Sequence, residues 1–159
     1  MLSDKKGSVL LIIIGLLVVV IGVALFLILP SMKQSTIAMN LGTGTFEAQV
    51  MTDYSEISKG ISSATEFGSK QAVLMVYPDS GKWGVVVRDM GVSIDLVWLN
   101  DNKQVVYYVK SIEPSEAVKT FIPKLSAKYV VELAAGTVDK DAIKITSVAT
   151  FDIKSTAGK

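Results

Sequence analysis

The chain has 159 residues, with no cysteine, no histidine, and 16 basic against 15 acidic residues. Without cysteine there are no disulfides, thiolate zinc sites, cysteine nucleophiles or lipoprotein anchor; without histidine the usual general base and most transition-metal sites are gone. Balanced charge with no single-sign block after residue 33 speaks against nucleic acid as a partner, and neither a metal nor a cofactor is expected.

Residues 7–29 contain no charged side chain and lie between Lys5-Lys6 and Pro30. At about 1.5 Å per residue one helix of this length crosses a hydrocarbon core of roughly 30 Å. Lys5, Lys6 and the amino terminus outweigh Asp4, while Lys33 alone follows the stretch, so residues 1–6 are expected in the cytoplasm. The expectation is a single-pass signal-anchor in the cell membrane with the rest of the chain extracytoplasmic. A cleaved signal peptide fits less well, because its apolar region should run about 7–15 residues before a small-x-small site. The nearest loose match is Thr36-Ile37-Ala38. A pilin-like structural subunit is a weaker alternative: Lys6-Gly7 before a long apolar helix looks like one, but Leu10 to Ile13 lacks the glutamate of such segments.

Residues 30–36 read as a linker. At about 3.3 Å per residue it reaches only roughly 15–25 Å, which would keep the domain that follows, residues 37–153, close to the bilayer. Ile37 to Leu41 and Phe46 to Val50 alternate in period two around Gly42-Thr43-Gly44, the pattern of a hairpin. Asp53 is placed to cap a short helix through Ile57, with Lys59-Gly60 near its end. Ala72 to Tyr77 is an apolar strand, closed by the turn Pro78-Asp79-Ser80-Gly81, and Trp83 to Val87 reads as its hairpin partner. Ile94 to Leu99 and Val105 to Ile112 are two further strands around Asn100 to Lys103. A helical turn is expected at Ala117 to Phe121, a strand at Tyr129 to Leu133, a helical turn at Asp139 to Ile143 and a last strand at Val148 to Ile153. Residues 154–159 read as a loose tail. The sum is a β-dominated α+β domain, mostly antiparallel or barrel-like, with one or two short helices, preceded by one transmembrane helix.

The order of these segments resembles the uncharacterised domain-of-unknown-function family 192. The matching pieces are Lys59-Gly60-Ile61, Met75-Val76-Tyr77, Arg88-Asp89-Met90, the strand Ile94 to Asn100, Glu113-Pro114, and Tyr129 to Gly136 as the most specific. The chain departs from the pattern at Val86-Val87 (Trp-Met in the family), Ser93 (Pro), Ala72-Val73 (Gly-Met) and Ile143 to Ser147 (Ile-Lys-x-Gly-Asp), which marks a divergent member. The resemblance implies a compact β-rich fold, often exported behind a signal or single anchor, and no agreed activity.

Arg88, Asp89, Asp95 and Glu132 form the candidate polar cluster. Asp95 interrupts an apolar strand, where a carboxylate is costly unless paired, and Arg88 could hold it; the plainer reading is that Asp95 bonds backbone amides for structure. Glu132 interrupts a second apolar strand. Facing one cleft with Asp95 it would make a carboxylate pair for a cation or for acid–base work; otherwise it is an outward residue near Lys128 or Lys144. Trp83, Trp98, Tyr107, Tyr108 and Tyr129 supply either stacking surface or core. No Gly-x-Ser-x-Gly or Ser-x-x-Lys setting is present. The sequence therefore points to a membrane-anchored binding or accessory module with a protein or envelope component as partner, rather than an enzyme. A carboxylate-based hydrolase, metal-assisted or acid–base, is the alternative. The oligomeric state is left open.

Overall fold

The computed structural model describes residues 14–19, 36–61, 65–114 and 118–153. The chain divides into two units, Met1–Lys33 and Gln34–Lys159. In the first, residues 14–19 are helical, and the remainder of the apolar stretch lies outside the described residues, as do the tip 1–6 and the tail 154–159. No helix among the described residues is long and apolar enough to cross a membrane.

The second unit is built on a seven-stranded sheet. Its strands are β1 (Thr36–Leu41), β2 (Gly44–Met51), β3 (Gln71–Gly81), β5 (Ile94–Leu99), β6 (Val105–Ile112), β8 (Ala127–Ala134) and β9 (Thr150–Phe151), in the order β6-β5-β8-β3-β2-β1-β9. A separate ribbon pairs β4 (Val85–Val87) with β7 (Lys119–Phe121). Two one-turn helices complete the unit, α1 (Tyr54–Ile57) and α2 (Thr137–Lys140). Among the described strands only β2 and β3 run parallel, and the crossover between them contains α1. Asp53 caps α1 as its spacing implies, accepting from the Ser55 amide at 2.8 Å.

The sheet curls until one segment touches both of its edges. Near the start of β6, the Val105 amide donates to the Ser147 carbonyl at 2.8 Å and the Ala149 amide to the Lys103 carbonyl at 2.9 Å. The next two residues, Thr150 and Phe151, pair with Asn40 and Met39 of β1. Lys103 fastens the seam, donating to the Phe151 carbonyl at 2.6 Å with its ammonium 4.3 Å from the centre of the Phe151 ring. The concave face holds one apolar core, with Met39, Phe46, Leu74, Val97, Leu99 and Leu133 among its buried members. The convex face is covered as well: Ile57, Ile61, Val85, Val87 and Met90 pack on Val73, Met75, Leu96, Trp98 and Val130. Burial on both sides is why β5 and β8 read as nearly unbroken apolar runs.

Three expectations are corrected. β3 runs through the predicted Pro78 to Gly81 turn, and β4 pairs with β7 instead of returning along β3. The cause lies in Trp83. Its ring stacks on Tyr77, with centroids 4.5 Å apart and planes 7° from parallel, and its indole donates to the Asp79 carbonyl at 2.8 Å, so the chain lifts off the sheet there. The helical turn expected at Ala117 to Phe121 is the strand β7 over its last three residues, and Ala117 lies outside the described residues.

Asp95 is fully buried on the concave face, where it serves structure. The β5–β6 register slips by one residue between Ile94 and Leu96, and the bulge leaves Ser111 at φ 53°. Asp95 Oδ1 accepts the Ser111 amide and Oδ2 accepts the Val138 amide in the first turn of α2, both at 2.8 Å. One carboxylate thus ties a bulge to a helix start. Replacing Asp95 by Asn keeps one acceptor and leaves the second amide buried without one. The variant should lose about 2 kcal/mol of stability, read from its denaturant midpoint.

Candidate functional site

β8 pairs with β5 so that Leu96 stands opposite Glu132 and Leu133 opposite Asp95. Residues opposite one another share a face, so Asp95 points into the concave core and Glu132 to the convex side. The carboxylate pair considered for a hydrolase therefore does not form. Nor does Arg88 hold Asp95, whose two oxygens take backbone amides. The other reading of Glu132, an outward residue near Lys128 or Lys144, also fails: Glu132 is 3% exposed.

Glu132 lies at the floor of a pocket of about 370 Å³ between β3, β8, α1 and the β4 ribbon. Met75 and Tyr77 line it from β3, Ile57 from α1, Val85 and Val86 from β4, and Arg88 from just beyond β4. The Trp83 ring forms a wall together with Tyr77. Its position is fixed from below, because the buried Trp98 indole donates to the Trp83 carbonyl at 2.9 Å. Arg88 is exposed and makes no ion pair or hydrogen bond among the described residues. Asp89, next to it, is exposed with φ 49° and is not part of the pocket lining. Of the four residues in the predicted cluster, the pocket brings two together, Arg88 and Glu132.

The surroundings of Glu132 set its chemistry. The Ile61 backbone amide gives the carboxyl one hydrogen bond, while Oε2 is buried with no partner. Burial raises its pKa from 4.5 to about 8, against the smaller lowering effect of that amide. Glu132 therefore carries its proton at neutral pH, and the unpartnered oxygen is the natural place for it. Burial, and secondarily the charge Glu132 acquires at higher pH, push the Tyr77 phenol to about 12, so it too stays protonated. Gly60 makes this arrangement possible. It adopts φ +48°, and a Cβ there would sit 2.9 Å from Glu132 Oε1 and 3.0 Å from Met75 Cε. Any side chain at residue 60 would press on the carboxyl.

Sequence reasoning passed over Gly60, Lys59 and Met75 as site residues. The available signal was the pairing of Lys59-Gly60 with a short capped helix, since a glycine just past a helix often takes positive φ. The other aromatic residues divide as follows. Trp98 is core and meets Tyr107 at 5.4 Å between centroids, and Tyr129 meets Phe151 edge-on at 5.3 Å. No group of acidic side chains among the described residues is placed to hold a metal ion.

Comparison with known proteins follows the fold. A family model described as Uncharacterized ACR, a domain of unknown function, matches residues 36–151. Two solved structures are similar. One, from Sinorhizobium meliloti 1021, is described by a suggested role as a transcription regulator; it is 16% identical with a TM-score of 0.65, over 74% of this chain and 95% of that one. The other, from Novosphingobium aromaticivorans DSM 12444, is a protein of unknown function, 15% identical with a TM-score of 0.66, over 76% of this chain and 89% of that one. Among curated proteins none matches. At these identities the likeness establishes the fold.

The raised Glu132 pKa has a testable consequence for stability. Between pH 4.5 and about 8 the unfolded chain has released this proton and the folded one keeps it, so folding weakens as pH rises through that window. The slope expected from one such group is on the order of 1.4 kcal/mol per pH unit. Denaturant titrations across pH 4–9 should show it in the wild type and show it flattened in Glu132→Gln.

Proposed function

The chain belongs to domain-of-unknown-function family 192, and from that premise we propose that it is a non-catalytic small-ligand binding module held at the outer face of a membrane. One observation carries the binding reading: a buried carboxyl with an unpartnered oxygen at the floor of a ligand-sized pocket. A leucine at residue 132 would fill the apolar layer and leave only the Ile61 amide without its acceptor. The second carboxyl oxygen has no partner within the protein, which is what a ligand in the pocket would supply.

Membrane placement rests on the uncharged stretch 7–29 and the basic residues before it. The short linker would then keep the pocket within reach of ligands at or near the bilayer surface. A binding role fits the chemistry better than catalysis. Among the described residues no second carboxylate faces Glu132 across the pocket, and the chain has neither histidine nor cysteine to share proton transfer or attack.

Two measurements test this reading. In the first, alkaline phosphatase fused after Lys159 should be active in cells carrying the full chain and inactive when residues 7–29 are removed. The second is a fragment screen by NMR on the full chain. Hits should move the indole signal of Trp83, which lines the pocket, and leave that of Trp98, which is fully buried. A screen in which no fragment perturbs Trp83 would remove the binding reading.

A further inference from the structure

Resting on the reading of this pocket as a binding site, we infer that its ligand is a small organic acid. Its carboxylate head would be met by Arg88, Lys59 and the free Oε2 of Glu132, and its short apolar body would lie along Met75 and Trp83.

The polar groups of the site are donors. Lys59 and Arg88 line a recess of about 10 Å³ that shares Val86, Arg88 and Glu132 with the pocket. Neither cation makes an ion pair among the described residues. Apart from Glu132, no acidic residue lines the pocket or the recess. The site therefore has one exposed cation, Arg88, shared by pocket and recess, a second, Lys59, on the recess alone, and a buried carboxyl that can donate only if it keeps its proton. It does so at neutral pH, since burial lifts its pKa to about 8. The Tyr77 phenol is a further donor in the wall. Donors and net positive charge call for an acceptor-rich, negatively charged group.

A carboxylate matches that demand. One oxygen can pair with a guanidinium or ammonium while the other accepts the Glu132 proton. A free oxyanion with no body would leave the rest of the pocket empty, because Ile57, Met75, Trp83 and Val85 present apolar surface there. The volume of about 370 Å³ lies within the range of small-ligand sites. A neutral sugar would bring hydroxyl groups to that apolar wall and no charge for Lys59 and Arg88.

The test uses the full chain in nanodiscs of neutral lipid, titrated calorimetrically with hexanoate, benzoate, inorganic phosphate and N-acetylglucosamine. Hexanoate and benzoate should bind saturably, and phosphate and N-acetylglucosamine should not. Arg88→Ala, an exposed position that leaves the fold intact, should weaken hexanoate binding roughly tenfold or more. Wild-type affinity should fall as pH rises past about 8, when Glu132 ionises beside the ligand's charge. Glu132→Gln keeps an N–H donor at that position, so it should still bind at pH 7 and lose this pH dependence. Binding of N-acetylglucosamine alone would overturn the acid assignment and leave the pocket's binding role standing. Phosphate binding as tightly as hexanoate would overturn the apolar-body assignment. Hexanoate affinity unmoved by both Arg88→Ala and a Gly60→Val replacement that obstructs the site would place any binding elsewhere and remove both readings.

Discussion

A carboxyl group held inside an apolar layer is the constraint around which this site is built. Glu132 stands where the packing of the convex face asks for a hydrocarbon side chain, and burial keeps it neutral at physiological pH. Three local features follow from keeping it there. Residue 60 has no side chain, because a Cβ would collide with the carboxyl. Ile61 turns its amide inward to satisfy one oxygen. The β4 ribbon stands off the sheet far enough to leave a pocket lined by Glu132, whose second oxygen is buried without a partner.

The curled sheet keeps the two buried acids of β5 and β8 apart in both position and role. Strand pleating alternates faces, and the β5–β8 register sends Asp95 to the concave core and Glu132 to the convex layer. Asp95 is fully engaged by the amides of Ser111 and Val138, so its charge has no further work to do. Glu132 has one amide and a raised pKa. Two acids on adjacent strands, three hydrogen bonds in all, give one structural clasp and one candidate ligand contact. A one-residue slip of either strand would put both acids on the same face.

Much of the fold was legible in the sequence because it follows from local patterning. The hairpin around Gly42, the cap at Asp53 and the β5–β6 pair around Asn100 to Lys103 were read from alternation and turn residues, and the structure has all three. What was not legible depends on contacts far apart in the chain. β4 and β7 pair across more than thirty residues, and nothing local in Trp83 to Val87 announces that its partner is Lys119–Phe121 and not β3. The site was half legible. Acids inside apolar strands drew attention to Asp95 and Glu132, but only the register of two strands decides which face each takes. Gly60 escaped because its reason for being glycine is a carboxyl more than seventy residues later.

The most direct test of the account is the protonation of Glu132 itself. With glutamate carboxyl carbons labelled by ¹³C, the Glu132 signal can be assigned by its loss in Glu132→Gln and followed by NMR through a pH titration. A midpoint near 8 is expected, well above the ordinary 4.5. A midpoint at the ordinary 4.5 would mean a solvated carboxylate, and would contradict both the closed floor of the pocket and the donor role assigned to its free oxygen.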